Sequence, residues 1–313
     1  MQMNTLEYIK AALIFLILIF GLVFTLTYTN IVRCNTIGQS WCDAYWYLVG
    51  SPRILVVYGH DGLGNADKLM NVLADRTILG IRTQHQIIDH IKTTSYLDKY
   101  KMVIVTQAKT ISNDQMQIFY DYANHNGILV WTGDAGTNSY SEDKKLSDYN
   151  YKDAGPWTRV NKDGQIIPFG ELISAEYIGN FCGYVNCSSL SKDFVGYLKQ
   201  DPDSTIASGI PPNTPIYGDF ALINPINNSS TFIEINIDYG TNMIGKDPKD
   251  NKGLGSFFPL LIRSQIGKNV IYFSAPIEDL MQSPSDPNYD PKNKTHIPTT
   301  IRKLFQEYFG IAK

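Results

Sequence analysis

The sequence predicts an α/β fold, with a mainly parallel sheet covered by helices on both faces and preceded by one transmembrane helix. Short runs of β-branched and aromatic residues alternate along the chain with amphipathic stretches that favour helix. Strands that alternate with helices are joined by right-handed crossovers, so neighbouring strands run parallel. The second observation is a long uncharged apolar stretch near the N-terminus.

That apolar stretch covers residues 11–32 and follows a short tail, residues 1–10. About 20 apolar residues in a helix cross the hydrocarbon core of a bilayer, so we predict a single transmembrane helix with the lipid bilayer as its partner. A cleaved signal peptide is the alternative, but residues 29–33 lack the small-residue cleavage site that should follow it. Lys10 and Arg33 lie on opposite sides of the stretch, so the positive charges leave its orientation open.

The four cysteines form two local pairs, Cys34 with Cys42 and Cys182 with Cys187. Even numbers of closely spaced cysteines are typical of disulfides in an oxidising compartment. Metal binding is the alternative, although neither spacing is C-x-x-C and no histidine lies near either pair in sequence. We therefore expect two disulfides and a domain on the extracytoplasmic side of a cell membrane.

Two classes of ligand are disfavoured by the sequence. The net charge is −3 and there is no run of Lys and Arg, which argues against a nucleic-acid surface. The glycine-rich residues 59–65 suggest a phosphate loop, but Asp67 stands where the dinucleotide fingerprint requires Gly or Ala. There is no Walker Gly-Lys-Ser/Thr either. We predict no cofactor and no metal.

Residues 33–52 are predicted to link the membrane helix to one α/β domain, residues 53–313. Apolar or alternating runs predict strands, and Ser112 with Gln115 forms a capping box that begins a helix. Residues 137–200 are polar and weakly periodic, so we expect an excursion from the sheet there. The predicted strands are residues 54–58, 83–88, 102–106, 128–131, 232–237 and 269–274, and the last helix is residues 301–309.

Candidate functional residues follow two of these strands. The buried strand at 128–131 runs into an exposed loop, residues 132–136, here called the elbow, where glycines permit a sharp reversal and Asp134 is the central polar side chain. His60 and Asp61 follow the first strand in the same way. The carboxyl ends of parallel strands share one crevice, which is where ligands bind in open α/β sheets. For His60 and Asp61, a solvated turn is the alternative.

Several pieces of the chain, in order, resemble one family. They are the strand with its approach at residues 97–105, the capped helix, the strand at 127–130 with its elbow, and residues 205–211 and 266–276. In this order and spacing they resemble class I glutamine amidotransferase-like domains, especially the trehalose-utilisation-like branch. The resemblance covers about residues 53–313 and implies a flavodoxin-like sheet.

The resemblance also implies catalytic positions, which this chain does not keep. Active members carry a Gly-x-Cys-x-Gly elbow, whose thiol attacks an amide, and a later His-Pro-x-Glu-like segment with the base. Here Asp134 stands at the cysteine position and Ala275 at the histidine position, while Glu278 is retained. A carboxylate does not replace a thiolate, so we expect no glutaminase activity.

Two functions remain open from the sequence. The first is a membrane-anchored, extracytoplasmic pseudoenzyme that binds a membrane or envelope protein partner or a small ligand. The second is a hydrolase, carbohydrate being one substrate class, that uses Asp134, Glu278, Asp61 and His60 as acid, base or metal ligands. We favour the first, and expect the Asp134 carboxylate to accept hydrogen bonds from backbone amides of the elbow, as in a tight turn, with no second acid close by.

Overall fold

The computed structural model describes residues 5–28, 32, 37, 41, 44–45, 48–49, 54–74, 83–152, 155–185, 187, 194–200, 214–226, 229–236, 255–264, 266–267 and 269–280. The chain divides into two compact units, residues 1–52 and 53–313. The predicted Cys34–Cys42 disulfide, the segment at 205–211 and the terminal helix at 301–309 lie outside the described residues.

The smaller unit contains one long helix, α1 (Thr5–Tyr28). Within it, Lys10–Tyr28 has a mean hydropathy of 2.5 and is long and apolar enough to cross a membrane, a test that an N-terminal signal sequence also passes. Trp41 packs edge-on against Phe20, and its indole Nε1 donates to the Thr27 hydroxyl at 3.1 Å. Trp41 and Tyr45, after the helix, therefore pack against the helix itself.

The larger unit is built on one nine-stranded sheet, in which the strands follow the order β2-β1-β3-β4-β13-β12-β11-β8-β9. The first five run parallel, and each strand from β12 onwards is antiparallel to its neighbour. The predicted α/β class is thus confirmed, and 54–58 and 128–131 lie in the same sheet. The strands are β1 Ile54–Asp61, β2 Thr83–Ile87, β3 Met102–Ala108, β4 Ile128–Thr132, β5 Thr158–Val160, β6 Ile166–Pro168, β7 Ala175–Asn180, β8 Phe194–Gln200, β9 Thr214–Tyr217, β10 Ala221–Pro225, β11 Ser230–Asn236, β12 Phe257–Arg263 and β13 Val270–Phe273.

Both faces of β1, β3, β4 and β13 are largely buried, as their apolar runs predict, while the edge strand β2 is polar and half-buried. Alternate side chains of β1 enter different cores, Ile54 on one face and Leu55 on the other. Helix α2 (Ala66–Ala74) supplies Leu69 to the first core, and helix α4 (Asn113–Asn124) supplies Phe119 to the second. The remaining helices are α3 Thr94–Leu97, α5 Phe169–Ile173 and α6 Ile277–Leu280.

Helix α4 begins as the sequence predicts. The Ser112 hydroxyl accepts from the Gln115 amide at 3.2 Å, and the Gln115 side chain accepts from the Ser112 amide at 3.0 Å. These reciprocal bonds satisfy two amides that the first turn of a helix leaves unpaired. The helix delivers the chain to β4, and so to the elbow.

The predicted excursion is only partly separate from the sheet. Strands β5 and β6 form one small antiparallel ribbon, and β7 pairs with β10 in another. Strand β8, at the end of the predicted excursion, instead pairs with β11 in the main sheet. Cys182 and Cys187 form the predicted disulfide just after β7. The β7–β10 ribbon brings polar residues to the elbow, as described below.

Candidate functional site

The crevice at the carboxyl ends of the parallel strands is occupied by residues 62–65, called loop 62–65 below. The loop follows β1, and its glycines hold backbone angles that other residues rarely adopt, with φ at +102° for Gly62 and +117° for Gly64. The Gln107 amide at the end of β3 donates to the Leu63 carbonyl at 2.9 Å. The loop is therefore fastened across the strand ends rather than extended into solvent.

Asp134 is one of two carboxylates that hold this loop. Its side chain is buried, and Oδ1 accepts from the Leu63 amide at 2.7 Å, so the backbone donor comes from loop 62–65 and not from the elbow as predicted. Oδ2 accepts from Asn180 Nδ2 at 3.0 Å and lies 3.7 Å from Lys109 Nζ. A charged acceptor makes strong hydrogen bonds to amides, and the lysine offsets the charge. The carboxylate thus joins loop 62–65, β7 and the end of β3.

Glu278 is the other carboxylate on the loop. It lies in α6 with no exposed surface, and its Oε1 accepts from the Asn65 amide, while its Oε2 has no hydrogen-bond partner. Burial raises the pKa of this carboxyl from 4.5 to about 7, and the Asn65 amide opposes that rise. Gly64 passes so close that a Cβ there would lie 3.0 Å from Glu278 Oε1. The loop and the glutamate fit each other tightly.

The elbow itself is buried, although the sequence suggested an exposed loop. Two tryptophans cover it: the indole Nε1 groups of Trp131 and Trp157 both donate to the Ala135 carbonyl, at 2.8 and 2.7 Å. The amides of Gly133, Ala135 and Gly136 donate to the carbonyls of Phe273, Thr132 and Ala108. Acyl-transfer sites need unpaired amides to stabilise an oxyanion, and these three amides are already paired.

His60 and Asp61 do not join Asp134. The register of β1 against β3 shifts between Tyr58 and Asp61, and such a bulge re-aims the side chains that follow it. His60 is exposed, with Nε2 3.1 Å from an Asp89 carboxylate oxygen. Asp61 accepts from the amide and the hydroxyl of Thr110, at 3.0 and 2.6 Å. In the part of the chain that the structure describes, neither makes a hydrogen bond or ion pair with Asp134.

Three further polar residues surround Asp134. Besides Lys109 and Asn180 there is Asp219, whose carboxylate accepts from the Cys182 and Phe220 amides at 2.8 and 2.9 Å. Burial raises the pKa of Asp219, the two amides oppose the rise, and the negative charge of Asp134 adds to it. Lys109 directly follows β3, so the rule that pointed to Asp134 would also have pointed to Lys109. Asn180 and Asp219 are brought in by the β7–β10 ribbon and carry no comparable sequence signal.

Ala275, at the position where the family pattern has histidine, is buried in the apolar core. Among the residues that the structure describes, no three His, Cys, Asp or Glu side chains are grouped so as to hold a metal ion. The chemistry present is therefore two carboxylates, a lysine and an asparagine around a closed loop.

Comparison with known proteins adds structural resemblances at low sequence identity. A ThuA-like protein from Bacteroides uniformis aligns at 11% identity and a TM-score of 0.46, over 72% of this chain and 83% of that one. A cytoplasmic protein from Salmonella typhimurium LT2 aligns at 12% identity and 0.46, over 83% and 100%. A β-galactosidase from Rahnella sp. R3 aligns at 12% identity and 0.49, over 86% of this chain but 33% of the enzyme.

No protein-family model matches the sequence, and no curated protein matches it. The structural neighbours include a ThuA-like protein. At such identities and TM-scores, the resemblance does not extend to function. The α/β class follows from the strand order of the chain itself.

Proposed function

We propose that residues 53–313 form a non-catalytic, amidotransferase-like binding domain. In this proposal α1 holds the domain at the extracytoplasmic face of a cell membrane, where it binds a protein partner or small ligand of an envelope complex. One observation carries the proposal: the two carboxylates of the crevice, Asp134 and Glu278, both serve as backbone acceptors for loop 62–65. Their oxygens hold the protein together where an enzyme would present them to a substrate.

The burial of both carboxylates supports this proposal. A general acid or base must come within hydrogen-bond reach of its substrate. Asp134 is 1% exposed and Glu278 is 0% exposed. Loop 62–65 lies against both, and the paired elbow amides offer no oxyanion hole. Catalysis would require the loop to leave and several hydrogen bonds to break together.

The membrane and compartment parts of the proposal rest on two other features. Lys10–Tyr28 is long and apolar enough to span a bilayer, and the side chains of residues 10–20 are exposed on the protein surface. The disulfide between Cys182 and Cys187 favours an oxidising compartment, because reducing compartments keep such pairs open.

A hydrolase is the second candidate, and Glu278 favours it. A buried carboxyl with a pKa of about 7 has the property that the general acid of a glycosidase needs. For this function, loop 62–65 would act as a lid that opens to admit substrate. The two candidates therefore differ in whether turnover depends on Asp134.

The catalytic test uses the full-length chain in detergent micelles. Release of ammonia from glutamine and of nitrophenol from nitrophenyl glycosides is measured for the wild type, Asp134→Asn and Asp163→Asn. Asp163 is an exposed turn residue and serves as the matched control. We expect no turnover that depends on Asp134. Turnover abolished by Asp134→Asn but kept by Asp163→Asn would replace the binding domain with the hydrolase.

The membrane test uses freshly prepared membranes. After alkaline carbonate extraction the chain should stay with the membrane pellet, and N-terminal analysis should find residues 10–28 retained. Non-reducing peptide mass spectrometry should recover Cys182 and Cys187 as one linked peptide. A mature N-terminus beyond residue 28 would show a cleaved signal sequence, and free thiols would place the domain on the reducing side.

Partner binding is tested with a photo-crosslinking amino acid at the rim of the crevice. Position 60 suits this because the His60 side chain is 67% exposed. In intact cells we expect a discrete crosslinked product from position 60 and none from position 163. Equal products from both positions, or none from position 60, would contradict a partner at this rim.

A further inference from the structure

A cavity of about 430 Å³ lies beside the residues that follow the elbow. Residues 137–139, which directly follow the elbow, form part of its wall, and β5 forms another part. Lys144 and Lys145 complete the cationic part of the lining. A cavity of this volume is in the range that holds a small molecule.

Arg159 in β5 is the central charged residue of this cavity. It is 8% exposed, and one guanidinium nitrogen, Nη2, donates to the Gly136 carbonyl at 2.8 Å. Its Nε is buried and, among the described residues, has no hydrogen-bond partner. Burying a cation without a paired anion is costly, and the Arg159 side chain that carries this unpaired donor lines the cavity. Burial lowers the pKa of Arg159 to about 10, which leaves it charged at neutral pH.

The carboxylate of Asp143, which acts on Arg159 electrostatically, already accepts two hydrogen bonds from the backbone. Asp143 partly offsets the burial of the guanidinium, but its Oδ2 accepts from the amides of Asn113 and Tyr140, at 3.2 and 3.1 Å. Within the described chain, Arg159 forms no ion pair within the 4 Å limit of a salt bridge. The positive charge of Arg159 is therefore incompletely compensated.

The rest of the lining adds cations and polar groups without an acid. Lys144 Nζ is held at the rim by the Lys162 carbonyl at 3.1 Å and lies 5.4 Å above the Tyr149 ring. Lys145 is exposed beside it. Ser139 contributes a hydroxyl, and none of the described residues that line the cavity is Asp or Glu, while the Asp148 and Asp163 carboxylates act on Lys144 from outside this lining. Three cations around a cavity without a carboxylate favour an anionic occupant.

We propose that this cavity binds a tetrahedral oxyanion, the phosphate or sulfate group of a small molecule. Arg159 Nε donates to one oxygen, Lys145 approaches from the open side, and the polar residues after the elbow complete the contacts. A guanidinium matches such an anion because its planar donors point in fixed directions. The proposal is independent of the function assigned to the crevice, since none of these residues contacts loop 62–65 in the described structure.

The test is a calorimetric titration with inorganic phosphate at constant ionic strength. The full-length protein is kept in nonionic detergent micelles. Lys145→Met removes an exposed charge without disturbing a buried contact, and Arg159→Met removes the buried donor. Lys162→Met is the matched control, because this exposed lysine pairs with Asp114 outside the cavity. We expect Lys145→Met to weaken phosphate binding roughly tenfold, Arg159→Met to weaken it more, and Lys162→Met to leave it unchanged.

Three outcomes would overturn the proposal. They are no phosphate binding by the wild type, unchanged binding in Lys145→Met, and an equal loss in Lys162→Met, which would indicate general surface charge. Acetate, a planar anion, is titrated as well. If acetate binds as tightly as phosphate or sulfate, the assignment of the cavity to a tetrahedral anion is refuted. Glycerol phosphate then separates the sources: tighter binding than inorganic phosphate indicates an ester, and equal binding indicates the free anion.

Discussion

Glu278→Gln should remove a pH dependence from the stability of the larger unit. The carboxyl of Glu278 has its pKa raised from 4.5 to about 7 in the folded chain, because it is buried. The folded state therefore keeps a proton that the unfolded chain has released at the same pH. The contribution is fully present below pH 4.5 and is lost as pH rises through about 7.

The magnitude follows from the size of the pKa shift. Each unit of difference in pKa corresponds to about 1.4 kcal/mol, so the free energy of unfolding should fall by about 3 kcal/mol across this pH range. Two charged neighbours modify it in opposite senses: Asp279 raises the pKa and Lys68 lowers it. Glutamine keeps an oxygen that accepts from the Asn65 amide and cannot ionise. The variant should thus be more stable than the wild type above pH 7.

The measurement is urea unfolding of the full-length chain in detergent micelles, followed by tryptophan fluorescence between pH 4.5 and 8. Trp131 and Trp157 are buried in the larger unit and report its unfolding. The pKa values of Asp143 and Asp219 are also raised by burial, so the quantity of interest is the difference between wild type and variant. Glu171→Gln, in an exposed position of α5, is the control and should follow the wild type. Parallel curves for wild type and Glu278→Gln would refute the reasoning.

Three further variants test other contacts by urea unfolding of the same full-length chain. Gly64→Ala should lower the free energy of unfolding by about 2 kcal/mol or more, because φ at Gly64 is +117° and the new Cβ would meet the Thr106 hydroxyl. The control is Gly183→Ala, where a Cβ meets nothing within 4 Å and should have almost no effect. Equal losses in the two variants would contradict the tight packing of loop 62–65. Ser112→Ala should cost about 1 kcal/mol through loss of the capping box, whereas exposed Ser141→Ala should not. Replacing both Cys182 and Cys187 by Ser should cost about 2 kcal/mol through the freed five-residue loop, and a stability unaffected by reductant would oppose this.

The parallel half of the fold was readable from sequence because its strands are buried on both faces. Runs such as those at residues 54–57 and 102–105 need no partner information to be recognised as strands. The antiparallel half was less readable. Strand β8 pairs with β11, and the local periodicity of residues 194–200 does not indicate which distant strand it pairs with. It was therefore assigned to the excursion.

The site shows the same division between local and distant information. The strand-end rule placed Asp134 near the crevice, since it depends only on which residue follows a strand, whereas Glu278 was identified through the family resemblance. For His60 the rule stood against a solvated turn, and the side chain is exposed and lies against Asp89 after the bulge in β1. The rule also omitted the principal partner of Asp134, the Leu63 amide, since a backbone donor leaves no trace in residue type. Asn180 was missed because its ribbon is defined only by long-range pairing.

The attachment of loop 62–65 has a consequence for the order of events during synthesis. The acceptor of the Leu63 amide, Asp134, lies 71 positions later in the chain, and the acceptor of the Asn65 amide, Glu278, lies 213 positions later. A ribosome that has made only the first strands has produced a loop whose acceptors do not yet exist. The emerging chain can therefore fasten Leu63 once Asp134 has left the exit tunnel, but Asn65 lacks its acceptor until α6 has been made.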